Sequence, residues 1–397
     1  LLSFRLAQPK RFFARPKVRA NIAAAVAMGV APATVAELAA ALAVNTVGVG
    51  TAISTSTNSF LIMKTYFGLQ WHLTDDCDQR CKHCYIWQKE KHKKATVNLK
   101  QAKQVLGKFF TFCEEMDSLP HFSITGGDPL LHPFIWEILE MVKHTDISLM
   151  GNPYHLNEAK AKRLKGLNCH SYQMSLDGLE KTHDGLRKPG SFKATLEKIP
   201  VLNDARIEST IMATVSLLNY RELPALARLC VQHKAGNFAF ARYCPTDGNT
   251  QYNIPPSVYR QFLADMWSVY TELIDRGTNF ALKDHLWTAF LYEEGLYKLC
   301  QDQGLMVAGC HCAVNNVSLL PNGDVYACRR CESKIGNIYE QDFGEIFFSD
   351  KQEQYRQIER LEGCKDCKLL NYCRGCHAVS AGTTGNFFAK DPQCWRC

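Results

Sequence analysis

Residues 66–85 read Tyr66-Phe-Gly-Leu-Gln-Trp-His-Leu-Thr-Asp-Asp-Cys77-Asp-Gln-Arg-Cys81-Lys-His-Cys84-Tyr85. The opening run is β-rich, and three cysteines spaced C-x3-C-x2-C follow it directly. Three such thiolates can hold three irons of a four-iron, four-sulfur cluster and leave the fourth iron open to an outside ligand. A structural zinc site is the alternative, and it wants four protein ligands in a closed tetrahedron, usually as two C-x2-C pairs. Position in the fold separates the two readings.

Downstream, to about Phe290, short β-rich runs alternate with longer amphipathic ones. Strands are expected over 66–73, 122–125, 147–150, 172–176, 207–215 and 238–243, and helices over 99–116, 133–143, 157–167, 192–202, 221–233 and 257–275. These six β-α units predict an α/β fold, a partial (β/α)6 TIM-type barrel with its chemistry at the carboxyl ends of the strands. The cysteine triplet sits at the end of the first strand, which favours iron–sulfur over zinc.

Placed there, Cys77, Cys81 and Cys84 resemble the signature of the radical S-adenosylmethionine superfamily. The resemblance implies that the open iron binds the amino and carboxylate groups of the cofactor's methionine moiety. It also implies one-electron cleavage of the sulfonium to a 5′-deoxyadenosyl radical that removes hydrogen from substrate. His83 departs slightly from the family, which usually has an aromatic residue before the third cysteine. Tyr85 joins the cofactor-binding set, as do Gly126, Gly127 and Asp128 of Thr125-Gly-Gly-Asp-Pro129, which is similar to the family's GGEP motif. Glycines permit close backbone approach, and a carboxylate pairs with an ammonium. Asn152, after strand three, and Ser175 with Asp177, at the end of strand four, fall where the family contacts ribose and substrate. Arg187 could reach a carboxylate. Asp177, Arg242 and Tyr243 are the candidates for catalysis, although each strand-end polar residue is equally explained as a hydrogen bonder or helix cap.

Of eighteen cysteines, three lie between 77 and 84, eleven between 300 and 397, and Cys113, Cys169, Cys230 and Cys244 are scattered. A secreted disulfide protein would spread its pairs; tight C-x2-C and C-x-C spacing suits metal ligation in a reducing, cytoplasmic setting. The C-terminal region resembles the SPASM extension, which binds two auxiliary four-iron clusters. Cys310 or Cys312 with Gly323 and Cys328 meet its first element, and Cys364, Cys367, Cys373 and Cys376 nearly meet its second, with a shortened last gap; Cys394 supplies the final cysteine. By this resemblance one cluster uses Cys364, Cys367, Cys373 and Cys394, and the other draws on Cys310 or Cys312, Cys328 and Cys376. Zinc is the alternative for the C-x2-C pairs. The scattered four are expected to be buried as small apolar side chains.

The formal charge of +7 comes partly from Arg5, Lys10, Arg11, Arg15, Lys17 and Arg19, so no nucleic-acid surface is implied. Residues 1–62 combine this basic opening with Ala/Val-rich and Gly/Ser/Thr-rich stretches and are expected to be a leader or substrate peptide joined to its enzyme, or a disordered extension. Their apolar stretch is interrupted by Pro32 and Glu37, so no membrane span is expected. The barrel is expected over 63–295 and the cysteine-rich domain over 296–397. SPASM-branch enzymes mostly modify ribosomally made peptides, and Cys373-Arg-Gly-Cys376-His-Ala with Asp391-Pro-Gln-Cys394-Trp is most similar to peptide maturases. The expected partners are a precursor peptide and a low-potential electron donor such as ferredoxin or flavodoxin. A haem-precursor or other small-molecule enzyme, a sulfatase-maturase-like oxidase, and a non-enzymatic iron–sulfur or zinc protein are the other classes.

Overall fold

The structure, a computed structural model, describes residues 65–86, 94–246, 248–299 and 308–396. The expectation for residues 1–62 lies outside these residues, as do Cys300 and Cys397.

All six expected strands form: β1 Thr65–His72, β2 Ser118–Thr125, β3 Asp146–Met150, β4 Cys169–Ser175, β5 Glu208–Val215 and β6 Asn237–Arg242. They pair in parallel in chain order. A seventh, β7 Asn279–Ala281, extends the sheet beyond β6 and is too short for a pattern of alternation to reveal it. On the other side β8 Asn316–Leu319 runs parallel to β1, and β9 Asp324–Tyr326 and β10 Lys334–Asn337 follow antiparallel. The result is one open ten-stranded sheet, β10-β9-β8-β1-β2-β3-β4-β5-β6-β7, joining the cysteine-rich region to the barrel.

The strand period of two assigns the faces. Trp71, Ile124 and Leu149 stand in register on one face, as do Phe238 and Phe280, and all are buried. Helices cover this face. The helix Leu99–Glu115 begins at a capping box, in which the Asn98 side chain accepts from the Gln101 amide and the Gln101 side chain accepts from the Asn98 amide, each at 2.9 Å. Its buried Phe109 and Phe112 meet Phe122 and Phe67 at ring distances of 5.2 and 5.0 Å. Each such ring stabilises the fold by roughly 1.5–3 kcal/mol. The opposite, concave face carries Gln70, Ser123, Ser148, Gln173 and Asn237, all half-buried. Ser123 reaches Ser148 at 3.3 Å and Ser318 donates to Gln70 at 2.9 Å, so the lumen is polar.

Among the described residues, no helix is long and apolar enough to cross a membrane.

Candidate active site and auxiliary thiol centres

The loop after β1 carries Cys77, Cys81 and Cys84, all partly exposed and not disulfide-bonded. They are close enough that Cys81 acts electrostatically on Cys77 and Cys84 on Cys81. Donors point at the sulfurs: the Gln79 amide at 3.4 Å and Asn152 Nδ2 at 3.9 Å for Cys77, and Arg187 Nη1 at 3.6 Å for Cys81. Burial pushes the Cys77 thiol up to about 11, so metal binding there displaces a proton.

Beside this loop, the Gly126 and Gly127 backbone lies against β1's end. The Gly127 amide donates to the Thr74 carbonyl and the Asp128 amide to the Asp76 carbonyl, both at 2.7 Å. A Cβ on either glycine would enter the Thr74 or Asp76 carbonyl, and Gly126 has φ +154°, which favours glycine. Asp128 is fully buried; its Oδ1 accepts from the Leu130 amide at 2.9 Å, and its Oδ2 has no partner. Burial raises this carboxyl to about 6. A buried carboxylate oxygen with nothing to bind is a place for a cation, so the glycines and Asp128 fit the methionine ammonium of S-adenosylmethionine. Gly127→Ala is expected to weaken cofactor binding at least tenfold and to lower stability by about 1–3 kcal/mol, read by calorimetric titration and urea unfolding. Wild-type values for both would remove the cradle from the cofactor site.

The fourth strand ends at Ser175, on the lumen side with Gln173. Asp177, two residues on, is fully buried, and both its oxygens are engaged. Oδ1 accepts from the Thr214 amide at 2.8 Å, while Oδ2 pairs with Arg187 and lies 3.3 Å from His83 Nε2. Burial would raise this carboxyl, but Arg187 and His83 outweigh it and hold it at about 2. Asp177 is thus the counter-ion of Arg187, whose Nη1 lies 3.6 Å from the Cys81 sulfur. His83 faces this ion pair, and Tyr85 packs its ring 6.4 Å from that of buried His72 with the Arg329 guanidinium 4.8 Å above it. Asn152 donates to Asp78 at 2.7 Å and stands beside Cys77.

His183 supports the same knot, its Nδ1 accepting from the Asp177 amide at 3.0 Å. Burial, then Arg187, lowers it from 6.5 to about 4. The unfolded chain therefore takes up a proton before the folded one as pH falls from about 6.5 to about 4, and stability drops across that window. His183→Gln lacks this term. Its stability deficit relative to wild type is expected to narrow by roughly 2 kcal/mol between pH 7 and pH 4.5 in urea melts; a constant deficit would contradict the assignment.

Arg242 is the last residue of β6. By strand parity it falls on the helix-covered face with Phe238 and Phe240, and it is buried in an ion-pair cluster. Its Nε donates to Asp284 at 2.8 Å, and its Nη1 and Nη2 grip Asp391 at 2.7 and 2.8 Å. It ties the barrel to the C-terminal region. Tyr243 is buried with its ring 6.0 Å from Tyr252.

In the C-terminal region, Cys364, Cys367, Cys373 and Cys394 line one cavity together with Leu369 and Asp391. This is the four-thiol set expected for one auxiliary cluster. A second group gathers Cys310, Cys312, Cys328 and Cys376, as expected, but also Cys244 and Cys331. They form three interacting pairs: Cys310 with Cys312, Cys328 with Cys331, and Cys244 with Cys376. Cys244 thus departs from the apolar burial expected of it. Cys113, Cys169 and Cys230 are buried in the core. His285 joins the group through a hydrogen bond with Cys310, a role that spacing alone does not signal.

A family model described as the radical SAM superfamily matches residues 71–230, and one described as an iron–sulfur cluster-binding domain, SPASM, matches residues 310–377. The chain is 26% identical over 346 residues to an AdoMet-dependent heme synthase of Methanosarcina barkeri, covering 82% of this chain and 95% of that one. It is 24% identical over 340 residues to the mycofactocin maturase MftC of Mycobacterium ulcerans, covering 82% and 87%. Its fold matches Streptococcus suis SuiB bound to S-adenosylmethionine with a TM-score of 0.65 at 21% identity, covering 84% and 78% of the two chains; SuiB has also been solved bound to precursor peptide SuiA. With the three-cysteine loop after β1, the vacant Asp128 oxygen and the C-terminal thiol groups, these matches identify the chain as an iron–sulfur enzyme of the radical S-adenosylmethionine superfamily, in the branch that carries a SPASM domain.

Proposed function

We propose that this enzyme holds three four-iron, four-sulfur clusters and abstracts hydrogen from a ribosomally made peptide, installing a crosslink such as a thioether or carbon–carbon bond. Cys77, Cys81 and Cys84 hold the first cluster, which with S-adenosylmethionine supplies a hydrogen-abstracting 5′-deoxyadenosyl radical. Asp128 Oδ2 takes the methionine ammonium. The Gly126–Gly127 backbone lets the cofactor approach, Asn152 and Ser175 face its ribose side, and Arg187, aimed by Asp177, balances the charge beside Cys81. Cys364, Cys367, Cys373 and Cys394 hold one auxiliary cluster, and the Cys310–Cys328–Cys376 group holds the other. Their electrons come from a low-potential donor such as ferredoxin or flavodoxin in a reducing cytoplasm.

One observation carries the peptide reading. The loops after β4 and β5 expose Leu179, Leu217 and Leu218 on the same end of the sheet as the cysteine loop. Glu222 joins these loops by accepting from the Leu179 amide at 2.7 Å. Exposed leucines at the rim of a polar lumen suit a substrate larger than the lumen, with apolar side chains outside and the reacting residue within. The structural likeness to SuiB, captured with precursor peptide SuiA, supports this.

A carboxylate-bearing small molecule such as a haem precursor is the second reading. It is favoured by Lys283, an exposed cation two residues past β7 at the end of the sheet that carries the cysteine loop, and by the likeness to a heme synthase. Anaerobic turnover with dithionite and S-adenosylmethionine separates the two. Deoxyadenosine with a mass change in candidate peptides, residues 1–62 included, is expected; a mass change confined to a tetrapyrrole would replace the peptide reading.

A further inference from the structure

The loop after β3 reads Gly151-Asn152-Pro153-Tyr154-His155-Leu156, and its third polar side chain has no part in the site described so far. The loop is fixed at both ends. Asn152 Oδ1 accepts from the Tyr154 amide at 3.0 Å, Tyr172 donates its hydroxyl to the Asn152 carbonyl at 3.2 Å, and Leu156 is buried. It also abuts the Gly-Gly-Asp turn, since a Cβ on Gly151 would stand 3.2 Å from Asp128 Oδ1. His155, held between these anchors, is half-buried, yet its Nε2 is buried and has no hydrogen-bond partner among the described residues. Asp128 Oδ2 is in the same condition.

These two atoms face a common space. One ligand atom each of Asp78, Asp128 and His155 lies within 4.8 Å of the others, and His155 Nε2 is 3.4 Å from Asp78 Oδ2. Asp78 directly follows Cys77, takes the Asn152 amide nitrogen at 2.7 Å and has Lys188 at 3.4 Å. With its proton on Nδ1, His155 offers a lone pair at Nε2, so two carboxylates and an imidazole present acceptors to one point beside the cysteine loop. Buried acceptors without donors cost free energy, and a group with several N–H bonds satisfies them together. Asp128 Oδ2 can take only part of what the cofactor's amino group donates.

We propose that His155 is a specificity residue for S-adenosylmethionine, its Nε2 and Asp78 accepting from the methionine amino group opposite Asp128. Selection of the cofactor by its amino group then depends on the β3 loop as well as on the Gly-Gly-Asp turn. The inference rests on the placement of that group at Asp128 proposed above.

The test titrates the anaerobically reconstituted full chain, by calorimetry, with S-adenosylmethionine and with S-adenosyl-4-methylthiobutanoate, which keeps the sulfonium and carboxylate and lacks the amino group. Wild type is expected to prefer S-adenosylmethionine by at least about tenfold, and His155→Phe to reduce that preference by about fivefold or more while the analogue binds as before. His155→Gln, whose side-chain oxygen can accept, is expected to recover part of it. If His155→Phe does not fold by circular dichroism, Asp78→Asn, at a half-exposed position, is expected to narrow the preference in the same way. A folded His155→Phe that weakens both ligands equally, or neither, overturns the assignment. So does Mn2+ that binds wild type but not His155→Phe while the preference is unchanged, since the three residues would then hold a metal. Preference lost in Asp128→Asn but kept in His155→Phe overturns His155 alone. Equal binding of the two ligands by wild type overturns the placement at Asp128 itself.

Discussion

Cys81→Ala is expected to abolish formation of 5′-deoxyadenosine and to remove about four irons per chain, while leaving the fold intact. Cys81 lies on a partly exposed loop with its sulfur turned to Arg187 and Gln79, so its loss opens no core cavity. Two remaining thiolates would leave two irons without protein ligands, and the site for the methionine group loses its platform. Arg187→Met should be milder. It keeps the ligands but removes the donor at 3.6 Å and strands the buried Asp177 carboxylate, for a loss of roughly 10–100-fold. Iron analysis, single-turnover deoxyadenosine yield and circular dichroism check the series. Full deoxyadenosine yield from Cys81→Ala would remove that loop from the chemistry.

Arg242→Ala is expected to be the most destabilising single change in the barrel, by about 3–5 kcal/mol in urea unfolding. The loss is more than that of its ion pairs, because Asp284 and Asp391 would both remain buried with their shared cation gone. Asp391 also holds the Cys376 amide, so the second thiol group should loosen and iron content fall in parallel. Adding Asp284→Asn to Arg242→Met removes one of the stranded charges and is expected to recover part of the stability. A loss below about 1 kcal/mol would put the cluster among pairs that contribute little.

The sequence made these residues legible to different degrees, for physical reasons. Alternation marked six strands because one face of each packs beneath helices; β7, with three residues, had no room to alternate. The cysteine loop and the Gly-Gly-Asp turn could be read because their ligands are neighbours in the chain. Arg242 was legible in part: position suggested a strand-end catalyst, whereas counting in twos from Phe238 puts it on the covered face. Asp177 had the right address, but its occupation by Arg187 and His83 depends on packing that no spacing encodes. Cys244 and Cys376 are far apart in sequence and meet only because the C-terminal segment folds back over the end of β6, so a motif search could only call Cys244 scattered.

The parallel pairing of β8 with β1 bears on how this protein can be taken apart. Gly68, Leu69, Gln70 and Trp71 find partners at 316–319, so a fragment ending near residue 295 would bare this stretch of the first strand's edge. That edge would invite association with other chains. The barrel and its cysteine-rich companion therefore make poor modules for separate expression, and heat is expected to melt them together in one cooperative step.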